Sequence, residues 1–397
     1  MGLVSALGQT VDEAFSRLGK FVNCVETLPE LAGYRGLNSH LGSRVRFTRP
    51  AHWTRKTTRT MGEVAEYALA ATERAVADAR LDAATLESGR CGVAYGSCSG
   101  SIAAHLDLLS LMYSHELKNV TSSTYIKLMP QTAACNLSIH FHTHGRLVPT
   151  GTACTSGSLA IGNAYELVRY GLQDVMLAGG AEEFSPTQVA VFDTLFATSL
   201  RNDAPQTTPA PYDANRDGLV IGEGAATLVV EELEHARARG ATVYAEIVGF
   251  CENTDGVHAT NPNAETMAAA LKGALEDAAL SPRAIGYVSG HGTATRAGDV
   301  AETQATRQAL GFAVPIASLK SYLGHTLGAC GAIEAALAVR QLREGWFHPT
   351  LNLGQVDPEC AELDYLVGEG RRLDVEYVMS NNFAFGGVNT SLVLRRL

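Results

Sequence analysis

None of the eight cysteines forms a CxxC pair, which removes the usual zinc-ribbon and thioredoxin-type spacings. No apolar run approaches the roughly 18 residues that a spanning helix needs, so no membrane partner is expected. No signal-peptide pattern precedes the cysteines, and free thiols in a reducing cytoplasm are the expected state. No low-complexity linker interrupts the chain, so its halves should share one body. Charged residues make up only 18% and hydrophobic ones 46% of the sequence. At 397 residues the chain can bury a large core, as two domains or as one duplicated domain.

Acidic residues are absent from 31–62, a segment with seven basic ones: Arg35, Arg44, Arg46, Arg49, Arg55, Lys56 and Arg59. The chain as a whole carries −10, and the remainder has 24 basic against 41 acidic residues, a net of −17. The overall charge excludes general nucleic-acid binding. A basic patch on an acidic body suits either a solvated face or an acidic macromolecular partner.

Strand-like and helix-like segments alternate, which predicts α/β layers. "GEVAEYALAATERAVADARL" has helical periodicity and runs into "CGVAYGS", a short apolar strand. "AETMAAALKGALEDAAL" is likewise followed by "IGYVSGHG". The echo between 62–97 and 264–292 hints at an internal duplication. "MSNNFAFGGVNTSLVLRRL" reads as two strands around a Gly-Gly turn.

Cys154 stands in "PTGTACTSGSLAIGNAYELV", between a strand-like segment and a helical pattern carrying Leu159, Ile161, Ala164 and Leu167. A free cysteine is often a small buried hydrophobe. At a helix N-terminus, however, unpaired N–H groups favour the thiolate, and small neighbours leave room for a substrate. Two histidines occupy Gly-flanked loops at strand ends, where α/β sheets bind ligands. These are His291 in "VSGHGTATRAGDVAE" and His325 in "LKSYLGHTLGACGAIEA", with Lys320 five residues before the second. Two imidazoles and a thiol are also a zinc donor set, although no short ligand spacing supports one.

"GTACTSGSLAIGNA", "HGTATRAGDVAE", "SLKSYLGHTLGACGAIEA" and "SNNFAFGGVNTSL" together resemble the elongating β-ketoacyl-acyl-carrier-protein synthases, condensing enzymes of the thiolase superfamily. "YDANRDGLVIGEGAA" and "VMLAGGAEE" extend the resemblance over essentially the whole chain. It implies an α/β, thiolase-like fold of two duplicated βαβαβ halves in a five-layer α-β-α-β-α arrangement. The N-terminal half, 1–242, would carry the nucleophilic cysteine, and the C-terminal half, 243–397, the two catalytic histidines.

By the same resemblance Cys154 takes an acyl chain as a thioester. His291 and His325 then stabilise the carbanion formed as malonyl-carrier protein loses carbon dioxide. The backbone N–H groups of Cys154 and Phe385 form the oxyanion hole. Lys320 supports the second histidine together with Glu334, and Asp299 and Glu302 hold Lys320. Thr293 and Thr295 bind the pantetheine arm, Phe383 and Phe385 gate the acyl site, and Phe192 lines it. Arg55, Lys56, Arg59 and Lys127 dock the acidic acyl carrier protein. The family pairs as a homodimer through the strand before the nucleophile, here "GRLVPTG". No cofactor and no metal is implied.

Three positions depart from the family pattern. Arg296 stands where proline is usual, Leu323 where threonine is, and Ala384 where glycine is; the first two are expected at the active-site entrance. The chain also begins late in the family's first strand. A thiolase would carry a second catalytic cysteine near the C-terminus, where this chain has "NNFAFGG". An initiating condensing enzyme would have asparagine in place of His325, and a non-catalytic chain-length factor would lack Cys154. The pathway, ordinary fatty acid elongation or a dedicated polyene or polyketide route, is left open by the sequence.

Overall fold

Two mixed β-sheets with the same internal plan organise the protein in a computed structural model that describes residues 1–397. The first sheet runs in the spatial order Gly2–Ser5, Gly224–Glu231, Val175–Glu182, Cys91–Gly96, Leu147–Thr150. Its first two pairings are antiparallel and the next two parallel. The second sheet begins with Glu246–Thr254, Val388–Arg395, Tyr377–Ala384, Ile285–Gly290, Pro315–Ser318 and adds a short sixth strand, Asp364–Tyr365. Its pairings are again antiparallel twice and then parallel. Strand order and direction therefore repeat, and the echo seen in the sequence is a duplication of the fold.

Five layers follow from how the helices cover these sheets. Ser156–Arg169 and Cys330–Glu344 lie between the sheets and pack on each other. Twelve residues of Cys330–Glu344 are buried, from Cys330 through Leu342. A helix apolar nearly all round is stable only as an interior layer. Glu63–Ala79 and Thr132–Phe141 cover the outside of the first sheet, and Ala264–Asp277 and Arg296–Leu310 cover the second. Val175–Glu182 is buried throughout, as expected for a central strand with helices on both faces.

The sheet-to-helix turns at the centre are tight. A Cβ on Gly180 would fall 2.4 Å from the Gly328 carbonyl oxygen, and one on Gly157 would fall 2.9 Å from it, so no side chain fits at this crossing. Ala153 and Leu327, each opening the short 3-10 turn before a central helix, have φ of 50° and 47°. A left-handed conformation costs a non-glycine residue roughly 1–2 kcal/mol. Both halves thus pay the same strain at the same place, and in the first half the next residue is Cys154.

Candidate active site

Cys154 is buried at the mouth of the central helix Ser156–Arg169, and His325 reaches it from the other half of the fold. The His325 Nε2 lies 3.0 Å from the Cys154 Sγ. The His291 ring stands edge-on to the His325 ring, with centroids 5.2 Å apart. The two imidazoles follow neighbouring parallel strands of the second sheet: His291 follows Ile285–Gly290, and His325 follows Pro315–Ser318 and the turn Lys320–Leu323.

Hydrogen bonds fix the imidazole protons. The backbone N–H of Leu327 donates to the His325 Nδ1 at 3.2 Å, so that nitrogen is an acceptor and Nε2 carries the hydrogen. The His291 Nδ1 faces two donors, the Lys320 ammonium at 3.1 Å and the Asn382 amide at 3.2 Å, which again leaves the hydrogen on Nε2. Burial, then the nearby Lys320 charge, holds both histidines well below their usual pKa, so both are neutral donors at neutral pH.

Burial also governs the thiol. It pushes Cys154 up to about 12, against the opposing pull of the Lys320 charge and of the Phe385 and Cys154 backbone N–H groups. The helix N-terminus alone therefore does not make a standing thiolate, contrary to the sequence-based expectation. The same two N–H groups both reach the sulfur.

The acidic residues behave differently from expectation. Lys320 supports His291, not His325, and its ammonium pairs with the Glu334 carboxylate at 2.5 Å. Burial alone would lower the lysine; Glu334, by charge and hydrogen bond, acts with Cys330 and Glu302 to leave it raised. Asp299 and Glu302 do not hydrogen-bond Lys320. Glu302 accepts the backbone N–H groups of His291 and Gly292 at 2.5 and 2.6 Å, and Asp299 accepts those of Thr293, Ala294 and Tyr212. Backbone donors of the same loop lie closer to these carboxylates than any side-chain cation of another strand. Asp299 is further matched by the buried Arg216 at 3.3 Å.

A cavity of about 560 Å³ opens on this cluster, lined by Cys154, His291 and His325 at its base. Thr293 and Thr295, their hydroxyls 2.8 Å apart, also line it. Phe383 lies 6.0 Å from the His291 ring, and Phe192 stacks on Phe385 with centroids 5.1 Å apart. Of the departures from the family pattern, Arg296 and Ala384 line the cavity. Leu323 does not: it is buried in the core between the sheets.

The donor atoms of Cys154, His291 and His325 lie within 4.8 Å of one another, and so do those of His291, Cys330 and Glu334. The Lys320 ammonium, bonded to His291 and Glu334, is already the cation among the second set, and its charge opposes a metal ion at the first. Asn382, the Leu327 N–H and Arg216 escaped the sequence reading. Arg216 lay in the quoted "YDANRDG", but nothing in the spacing showed what it faces.

On the surface, Arg55 and Lys56 sit on the short helix Arg55–Thr58 and Arg59 caps it; all three are exposed and none forms an ion pair within the chain. Two other basic residues of the segment are neutralised from outside it, Arg49 by Glu66 and Arg44 by Glu30 and Glu223. Lys127, half-buried, lies within electrostatic reach of Glu66.

Duplicated halves around a buried cysteine faced by two histidines define a thiolase-like protein. The chain belongs to the β-ketoacyl synthase family: residues 1–236 match the family's N-terminal domain and 244–354 its C-terminal domain. It is 36% identical over 409 residues to the 3-oxoacyl-[acyl-carrier-protein] synthase 2 of Vibrio harveyi, covering 100% of this chain and 97% of the relative. A β-ketoacyl synthase from Burkholderia phymatum STM815 is 54% identical, with a TM-score of 0.98 and coverage of 100% and 98%. A type II PKS ketosynthase, solved in complex with its acyl-carrier protein and bound to the hexaketide, is 30% identical, with a TM-score of 0.89 and coverage of 100% and 97%.

Proposed function

We propose that this protein is an acyltransferase of fatty acid biosynthesis that performs the decarboxylative condensation of an acyl chain, held on Cys154, with malonyl-acyl-carrier protein. The single observation that carries this reading is the pairing of a buried thiol with two neutral Nε2–H donors at the base of one cavity. The Cys154 sulfur attacks the acyl thioester and its proton leaves with the departing thiol. The Phe385 and Cys154 N–H groups hold the oxyanion. His291 and His325 then donate to the malonyl thioester oxygen, so that negative charge left by carbon dioxide is stabilised where it forms. The new carbanion attacks the Cys154 thioester, forming the carbon–carbon bond and breaking the carbon–sulfur bond, and the released Cys154 thiolate takes up a proton from solvent. Thr293 and Thr295 bind the pantetheine arm, and Phe192, Phe383 and Phe385 shape the acyl end. Glu334 keeps Lys320 charged beneath His291. The nucleophile half is taken to end at residue 242, between the two sheets. A dedicated polyketide route is less favoured, since the relatives named as 3-oxoacyl synthases match at higher identity than the type II PKS ketosynthase.

Purified protein is expected to convert acyl- and malonyl-carrier protein to the β-ketoacyl product, and to release carbon dioxide from malonyl-carrier protein. Both histidines have depressed pKa values. Neutral imidazole is therefore fully present above pH 6.5, and decarboxylation should stay level from there upward, falling only as pH drops through the lowered values. A decarboxylation rate that rises steeply on acidification through pH 6.5 would show that imidazolium is the active form and refute the donor assignment.

The acyl carrier protein is taken to dock on Arg55, Lys56, Arg59 and Lys127, because the first three cations are exposed without an ion pair in the chain. Each exposed contact contributes on the order of 1 kcal/mol or less and is screened by salt, so the patch acts mostly on encounter. Changing Arg55, Lys56 and Arg59 together to glutamate should raise KM for carrier-borne substrate about tenfold or more at low salt. Turnover of a small pantetheine thioester should be unchanged. Equal loss of both activities would mean that the patch supports the fold.

A homodimer in the cytoplasm completes the reading. Leu147–Thr150 is an edge strand, half-exposed, and open to pairing with a second copy. The helix Ile102–Ser114 buries only Ala104, while Met112 and Tyr113 are 71% and 86% exposed. An apolar face of this kind marks an interface. No helix is long and apolar enough to cross a membrane. Sedimentation at micromolar concentration should give a particle of twice 42.0 kDa; a monomer would remove the dimer.

A further inference from the structure

We propose that Asn382 is a positioning residue that, with Lys320, locks His291 in the tautomer carrying its hydrogen on Nε2; this rests on the condensation reading above. The placement is set by sheet register. Ser380 pairs with Ser289 across the parallel strands Tyr377–Ala384 and Ile285–Gly290. Two residues further along each chain, on the same face, stand Asn382 and His291. The Asn382 Nδ2 lies 3.2 Å from the His291 Nδ1 and 2.6 Å from the Glu334 Oε2. The side chain therefore bridges the carboxylate that pairs with Lys320 and the imidazole that Lys320 touches.

The amide's orientation follows from its neighbours. Glu334, paired with Lys320, can only accept at Oε2, so the amide presents its NH2 end there. One hydrogen goes to Glu334, and the other points at the His291 Nδ1. The opposite end supplies the telling observation. Asn382 is fully buried, and its Oδ1 has no hydrogen-bond partner. That oxygen is pressed towards Gly331, where an added Cβ would lie 2.6 Å from it. A buried carbonyl without a donor destabilises the fold, and an apolar side chain of similar size would avoid that cost. What asparagine supplies at this position is its donor end.

Two donors meet one imidazole nitrogen for separate reasons. Lys320 brings charge on a flexible stem, whereas Asn382 brings a planar donor fixed by two paired strands. The Asn382 main-chain oxygen also accepts from the Thr390 hydroxyl at 3.3 Å, which ties it to the next strand. With both donors in place, an N–H on the His291 Nδ1 would point at hydrogens from two sides. The neutral ring keeps its hydrogen on Nε2, the nitrogen available to the malonyl thioester oxygen.

The test compares Asn382→Leu and Asn382→Asp with the unsubstituted full-length protein in three measurements: release of carbon dioxide from malonyl-carrier protein, acylation of Cys154 by mass spectrometry, and the 15N spectrum of labelled histidine. Leucine removes the donor without adding a polar group, and aspartate replaces it with an acceptor. Decarboxylation should fall about tenfold in Asn382→Leu and further in Asn382→Asp, with acylation within twofold of the unsubstituted protein. The His291 resonances should show a pure Nε2–H ring in the unsubstituted protein and a growing Nδ1–H population through the two variants. Decarboxylation within twofold of the unsubstituted rate in both variants, or an unchanged tautomer in Asn382→Asp, overturns the proposal. So does a parallel fall of acylation and decarboxylation, which would mark a structural role. If the unsubstituted protein decarboxylates nothing, the condensation reading fails, and the 15N spectra still decide the tautomer claim.

Discussion

Replacing Cys154 with alanine is expected to abolish condensation, leaving less than about one part in 10³ of the rate, because no other thiol stands at the oxyanion donors. Cys330, the neighbouring cysteine, directs its S–H to the Cys154 carbonyl oxygen at 3.1 Å, and its sulfur faces the Gly331 N–H and, at 3.8 Å, the Asn382 amide instead of the Phe385 and Cys154 N–H groups. Mass spectrometry should find no acyl adduct on Cys154→Ala. His325→Ala divides the reaction instead. The His325 Nε2–H faces the Cys154 sulfur at 3.0 Å, so losing it slows acyl transfer by about tenfold. Decarboxylation depends on that donor at the charge-bearing oxygen and should fall about 10²–10³-fold. An acyl-enzyme should therefore accumulate in His325→Ala when acyl-carrier protein is supplied, with almost no carbon dioxide released from malonyl-carrier protein. If the two half-reactions fall by the same factor, the histidine serves both steps equally and this division of labour is wrong.

The side chains that meet at the cavity were legible because each lies in a short segment whose local chemistry is unusual: a cysteine between strand and helix, and histidines in glycine-flanked loops after strands. The duplication was legible only as an echo, which the structure resolves into equivalent positions for Glu63–Ala79 with Cys91–Gly96 and Ala264–Asp277 with Ile285–Gly290. Pairings across the sheets were not legible. Lys320 was read as support for His325, five residues away in sequence, yet the turn Lys320–Leu323 carries its ammonium to His291, from the neighbouring strand. Asp299 and Glu302 were matched to a lysine by charge, although the nearest donors are backbone N–H groups, those of His291 and Gly292 for Glu302 and those of Tyr212 and Thr293 for Asp299. Leu323 was expected at the entrance because its motif is catalytic, but its side chain points into the core. Asn382 gave no signal at all, since a polar residue within a buried strand acquires its meaning only from register.

Substituting Lys320 with methionine is expected to cost a large share of the stability at the site. The ammonium and the Glu334 carboxylate are 1% and 2% exposed and 2.5 Å apart. Removing one partner leaves the other charge buried, which destabilises by about 3–5 kcal/mol. With an unfolding entropy of roughly 2.1 cal/mol/K per residue, the chain's Tm should drop by about 4–6 °C. Glu334→Leu should do the same from the other side. The double variant, Lys320→Met with Glu334→Leu, buries no charge and should recover most of the loss, because well-packed apolar replacements of a buried pair are often neutral. Function should not recover with it. Lys320 is the strongest of the influences that lower the Cys154 thiol and one of two donors to the His291 Nδ1. Without it the thiol climbs further, so iodoacetamide should alkylate Cys154 more slowly in both the single and the double variant. Decarboxylation should stay depressed in both as well. A double variant no more stable than Lys320→Met would show that the stranded carboxylate is not the source of the loss. A double variant with unsubstituted rates of alkylation and decarboxylation would show that the ammonium holds the fold together and does nothing for the chemistry.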